Sequence, residues 1–204
     1  MLTGRAGGRA GGGQVSALTN LSFYPGEDSG VWARRAELVA PLGALLFADN
    51  AEAVLEACRR NFTPCLINDQ VSIAKVLAAD GAHLGQGDGS LLDARQSLGP
   101  HAVLGRTCHG SQEFMEQAVA DGASYCAFGR LFDSDTKPQA SGLSLHQLKD
   151  LVSQCAIPTV AIGGITLDNG RQILDTGVAM LAVSGAVFRA KEIGEAARRL
   201  SELF

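Results

Sequence analysis

From residue 51 onward the chain alternates short apolar runs with amphipathic segments, a pattern few folds can accommodate. The stretch 64–88 sets it. Two apolar runs, 65–67 and 82–84, each end in a polar loop carrying an aspartate: Asp69 after Asn68, and Asp88 after Gln86 and Gly87. Between them Val71, Ala74, Val76, Leu77 and Ala78 recur at roughly helical spacing. Strand, helix, strand at this length is a parallel unit, and parallel neighbours open their carboxyl ends on the same side. Asp69 and Asp88 are therefore expected side by side. Two such carboxylates suit a hard divalent cation that also holds phosphate oxygens, in the manner of magnesium. Other readings remain open: Asn-Asp before a helix is also a capping sequence, and Gly-Asp-Gly is also a plain turn.

The same alternation runs through the remaining chain. Strands are expected at 16–24, 43–47, 65–67, 82–84, 103–107, 125–128, 159–162 and 180–183, with helices at 31–39, 51–60, 91–97, 111–120, 145–153, 168–175 and 190–203. Eight strands alternating with helices predict an α/β fold, a minimal (β/α)8 TIM barrel, with a doubly wound open sheet as the rival. The 204 residues, 46% of them hydrophobic, suffice for one domain, expected over 16–204. Residues 1–15 are rich in glycine and arginine without apolar period and are expected to be a disordered tail.

A net charge of −4 gives no electrostatic footprint for nucleic acid, and no run approaches the roughly 18 apolar residues of a membrane span. Five cysteines without CxxC spacing fit reduced, mostly buried thiols, and a cytoplasmic protein is expected.

Glycine-rich turns follow the last two predicted strands: Gly163-Gly164, and Ser184-Gly185. In such barrels these loops form phosphate sites from backbone N–H groups. The long polar loop from Arg130 to Ala140 offers Ser134, Thr136 and Lys137 as further donors. On the fifth strand Thr107 and His109 share parity and are expected to address the mouth, while Cys108 points away. Lys75, His83, His101 and His146 are read as structural or surface residues.

These motifs together resemble thiamine-phosphate synthase. The resemblance rests on Asn68-Asp69, on the run from His83 to Asp88, on Gly105 to His109, on Phe128 to Phe132 with Ser134 to Lys137, and on Ala161 to Asn169. It covers about residues 51 to 188, in the family's order and spacing. It implies a (β/α)8 barrel that joins hydroxymethylpyrimidine diphosphate to thiazole phosphate and releases diphosphate. It also implies that Asp69 and Asp88 are Mg2+ ligands, and that Asn68, Thr107 (usually serine in the family) and Lys137 hold the pyrimidine diphosphate. Ser134, Thr136, Gly164, Ser184 and Gly185 would hold the thiazole phosphate. In the implied chemistry the C–O bond to diphosphate breaks first, and the thiazole nitrogen captures the pyrimidinylmethyl cation. Lys137 and Thr107 would be the catalytic residues.

One family feature is missing. A Gln-x-Arg-x-Lys run closes the second strand of family members, where this chain has Leu46, Ala48 and Asn50. The chain is therefore expected to be an impaired synthase with a divergent N-terminal part. The alternatives are a related thiazole tautomerase, which would use a histidine at the position of His109, and a non-catalytic barrel that binds thiamine precursors. The partners expected are small molecules only; oligomeric state is not legible.

Overall fold

A computed structural model describes residues 17–21, 44–46, 51–132 and 142–204. Strands are β1 (Ala17–Leu21), β2 (Ala44–Leu46), β3 (Cys65–Asn68), β4 (Gly81–Leu84), β5 (Val103–His109), β6 (Tyr125–Phe128), β7 (Thr159–Ile162) and β8 (Met180–Val183). Helices are α1 (Ala51–Arg60), α2 (Val71–Val76), α3 (Leu91–Leu98), α4 (Gln112–Ala120), α5 (Leu145–Gln154), α6 (Leu167–Leu174), α7 (Gly185–Phe188) and α8 (Ile193–Ser201). The tail 1–15, the helix expected at 31–39, the residues Ala48 and Asn50, and the loop residues Ser134, Thr136 and Lys137 lie outside the described residues.

Six strands, β3 to β8, form a curled parallel sheet in sequence order, alternating with helices. Strands β1 and β2 pair in parallel as well. Thr19 stands opposite Ala44, Ala44 opposite Cys65, and Leu18 opposite Ala182, so β1 meets both β2 and β8.

Side-chain alternation divides the core into two layers. Leu66, Tyr125, Ala127, Val160 and Ala182 pack together on the concave face. Their strand neighbours Cys65, Ile67, Ala82, Leu84, Leu104, Cys126, Phe128, Ala161, Leu181 and Val183 belong to the larger cluster that the helices cover. Strands covered on both faces are buried along their whole length, as β4 and β6 are: all four residues of each are buried, and the polar groups among them, His83 and the Tyr125 hydroxyl, are hydrogen-bonded to each other. The helices supply the facing stripes, for example Leu148 and Leu151 of α5 or Ala197 and Leu200 of α8.

Local chemistry starts the helices where the sequence places serine. Ser90 Oγ accepts from the Leu92 N–H at 3.1 Å, and Ser111 Oγ accepts from the Phe114 N–H at 3.2 Å. Ser144 and Gln147 cap α5 reciprocally: the Gln147 N–H donates to Ser144 Oγ at 3.2 Å, and the Ser144 N–H donates to Gln147 Oε1 at 3.1 Å. Each such cap contributes roughly 1 kcal/mol.

Three expectations are corrected. The helix after Asp69 ends at Val76, which is largely exposed, and buries only Ala74, because Ala78 turns into the left-handed region at φ +49°. The terminal helix expected over 190–203 is α8, which begins only at Ile193, and an unexpected short helix, α7, precedes it directly after β8. On β5 the expected parity breaks: Thr107 pairs with Ala127, but His109 pairs with the next residue, Phe128. This bulge at Cys108 leaves His109 exposed, at φ +52°, while Thr107 remains half-buried. Cys108 is fully buried among the helix-facing residues, as its parity required.

Candidate active site

The carboxyl ends of β3, β4 and β5 build the centre of the site. Asp69 follows β3 with φ +62°, a left-handed conformation that aspartate tolerates better than most residues, and its N–H donates to the His83 carbonyl at 2.7 Å. This ties the end of β3 to β4. Asp88 folds back over the turn after β4, its Oδ2 accepting from the Gly85 N–H at 2.9 Å. The two carboxylates come within hydrogen-bonding reach of each other. Partial burial and the neighbouring Asp88 push the Asp69 carboxyl up to about 6, although the Gly85 N–H and the Asn68 side chain favour its charged form. The capping reading of Asn68-Asp69 does not hold, since Gln70 occupies the N-cap of α2 without a side-chain bond.

Three residues given no site role from the sequence surround the turn that carries Asp88. The Arg106 guanidinium donates to the Gly89 carbonyl at 2.9 Å and to the Gln86 carbonyl at 3.5 Å, bridging β5 to both sides of the aspartate. Gln86 in turn donates through Nε2 to the Thr107 carbonyl. His83, read as structural from the sequence, proves to be buried and directly bonded to Thr107: its Nε2 lies 2.8 Å from Thr107 Oγ1. Burial and the Arg106 charge hold its imidazole down at about 4, against a weaker opposing pull from Asp88, so it is neutral near pH 7. No local signal marks this pair, whose members are far apart in the chain and meet only because β4 and β5 are neighbours.

The second part of the mouth is formed by the ends of β7 and β8. Gly163 and Gly164 carry φ +104° and +64°. At Gly163 a side chain is also excluded by contact, since a Cβ would stand 2.5 Å from Arg130 Cβ. The ends of the long loop are fixed here. The Leu131 and Phe132 N–H groups donate to the Ile162 and Gly163 carbonyls at 3.2 Å each, and the Leu143 N–H donates to the Arg130 carbonyl at 2.7 Å. Ser184 follows β8, and its carbonyl accepts from the Val187 and Phe188 N–H groups as α7 begins. The Asn169 side chain bridges the Gly164 carbonyl and the Thr166 N–H, at 2.9 and 2.8 Å, holding the turn into α6.

The family model described as thiamine monophosphate synthase matches residues 40–187. The chain belongs to the thiamine monophosphate synthase family. A thiamine-phosphate synthase of Saccharophagus degradans is 45% identical over 69% of this chain and 65% of its own length, so that match spans slightly less than two thirds of the relative. A thiamine-phosphate synthase of Methylobacillus flagellatus is 43% identical over 77% of this chain and 75% of its own length. Among solved structures, a thiamine phosphate pyrophosphorylase from Pyrococcus furiosus superposes with TM-score 0.81 at 26% identity, covering 94% of this chain and 96% of that one. A 3-hexulose-6-phosphate synthase superposes at TM-score 0.73 with 13% identity, covering 93% of this chain and 99% of that one, a likeness of fold alone.

Within this family setting, the structure brings Asn68, Asp69, Asp88 and Thr107 together on one side of the mouth, and places Gly164, Ser184 and Gly185 after β7 and β8. Leu46 ends β2 opposite Ile67, one residue before Asn68. Among the described residues no group of three or more His, Cys, Asp or Glu side chains is arranged to hold a metal, and no helix is long and apolar enough to cross a membrane.

Proposed function

We propose that this chain is a thiamine-phosphate synthase: a transferase that joins hydroxymethylpyrimidine diphosphate to thiazole phosphate and releases diphosphate. It would do so in the cytoplasm, on a complete (β/α)8 barrel formed by residues 16–204. The observation that carries the reading is the pairing of the Asp69 and Asp88 carboxylates at adjacent strand ends. Two like charges held together without a cation oppose each other, and their all-oxygen donor set fits Mg2+, which keeps most of its coordination for water and phosphate oxygens. When bound there, the ion supplies positive charge to the leaving diphosphate.

The protein's own groups do the rest. Asn68, Thr107 and Lys137 hold the pyrimidine diphosphate. The Lys137 ammonium neutralises charge on the departing diphosphate as the C–O bond breaks, and electrons of that bond leave with the diphosphate oxygen. Gly164, Ser184 and Gly185, with Ser134 and Thr136 from the long loop, hold the thiazole phosphate so that its ring nitrogen faces the pyrimidinylmethyl cation. No protein nucleophile takes part. The absent Gln-x-Arg-x-Lys run makes this a weakened synthase.

The test is formation of thiamine phosphate from the two substrates and Mg2+ by the purified chain, with Asp69→Asn and Asp88→Asn as controls. Turnover abolished in both variants supports the reading. Binding of either substrate without turnover in the unaltered chain identifies a non-catalytic barrel instead.

A further inference from the structure

The Tyr125 ring stacks on His83, with centroids 5.6 Å apart and 18° between planes. Its hydroxyl lies 2.9 Å from His83 Nδ1, and His83 Nε2 lies 2.8 Å from Thr107 Oγ1. Three polar groups from β6, β4 and β5 thus form one chain from the concave core toward the mouth. Burial keeps both aromatic groups neutral: it holds the imidazole down at about 4 and pushes the phenol up. His83 therefore carries one N–H, and two proton arrangements remain. If Nδ1 carried it, Nδ1–H would donate to the Tyr125 oxygen and the Thr107 hydroxyl would donate to Nε2. The Tyr125 proton would then be buried with no acceptor, since among the described residues its hydroxyl bonds only to His83. Leaving a buried donor unmade costs more than a hydrogen bond contributes.

We propose that Tyr125 donates to His83 Nδ1, which fixes the Nε2–H tautomer, so that His83 donates to Thr107 Oγ1 and the Thr107 hydroxyl presents its own proton to substrate. Tyr125 and His83 are positioning residues: they make Thr107 a hydrogen-bond donor, selecting an acceptor atom on the pyrimidine substrate. The assignment of that substrate to Thr107 rests on the function proposed above.

Two measurements test this. In the full chain labelled with 15N-histidine at pH 7, with His83 assigned by its loss in His83→Gln, Nε2 is expected to carry the proton and Nδ1 to resonate as an unprotonated ring nitrogen. A protonated Nδ1 overturns the relay. In turnover, Tyr125→Phe keeps the ring and deletes the donor. It is expected to raise KM for the pyrimidine diphosphate about tenfold while leaving KM for thiazole phosphate unchanged. Thr107→Val should do the same, and Tyr125→Phe should add little in its background. Additive effects, or equal rises in both KM values, overturn the relay. An unaltered chain without turnover overturns the synthase reading, and the His83 nitrogen resonances then decide the proton arrangement by themselves. They also decide it should Tyr125→Phe fail to fold.

Discussion

Gly105 stands opposite Tyr125 in the β5–β6 register, and a Cβ on it would lie 2.1 Å from Tyr125 Cζ and 2.5 Å from His83 Nδ1. The missing side chain is the space the stacked pair occupies. Gly105→Ala should therefore destabilise the fold by about 1–3 kcal/mol through overpacking, read as a lower urea midpoint with unchanged m. Gly87, where an added methyl group would meet nothing within 4 Å, provides the contrast: Gly87→Ala should change stability by no more than about 0.5 kcal/mol. Equal effects would show that β5 and β6 can separate to admit the methyl group.

The carboxylate pair predicts a metal-dependent stability. Mg2+ in the presence of diphosphate should raise the Tm of the unaltered chain, by an amount equivalent to about 2.7 kcal/mol at a hundredfold excess over Kd. Asn at 69 is the appropriate probe, because φ +62° is accessible to it at little strain. Asp69→Asn should abolish the magnesium response while leaving or raising the metal-free Tm, since it removes one of two opposed charges. A full magnesium shift in this variant would place the ion elsewhere.

His83 gives the acid limb of stability its sign. Its folded value is held at about 4, below the ordinary 6.5. The stability it contributes is therefore present above 6.5 and is lost as pH falls toward about 4. The loss is on the order of 3 kcal/mol for a group buried this deeply. Asp69 runs the other way: pushed up to about 6, it contributes stability below 3.8 that is lost as pH rises through 6. Urea denaturation of Asp69→Asn between pH 7.5 and 4 separates the two, and a stability that stays flat there would show that the imidazole charges without cost.

The function proposed above sets a cationic grip on diphosphate at the end of β2, where the sequence has the uncharged Leu46, Ala48 and Asn50. Charge-assisted phosphate bonds contribute roughly 1.5–3 kcal/mol each, so the absence of two should weaken diphosphate binding by about two to four powers of ten. Introducing Gln, Arg and Lys at 46, 48 and 50 together should lower KM for the pyrimidine diphosphate and raise kcat/KM. Unchanged kinetics would show that another group performs this task or that the register of β2 differs.

Much of this was written in local sequence. Strands β6, β7 and β8 have the limits their apolar runs announce, and Asp69 and Asp88 meet because a strand-helix-strand unit of that length has one parallel solution. The side-chain period of two also assigned Thr107 and Cys108 to opposite faces. What it could not assign was His109, because the bulge at Cys108 lets two residues of β5 oppose one of β6, and period arguments fail once register slips. Nor could it find partners for His83. Tyr125 lies 42 residues away and Thr107 lies 24 away. A lone histidine in an apolar run is chemically mute until the curl of three neighbouring strands, and the space left by Gly105, turn it onto a phenol and a hydroxyl. Local spacing fixes elements and the direction of their ends. Contacts between strands depend on curvature, register and vacated volume, and these belong to the tertiary structure.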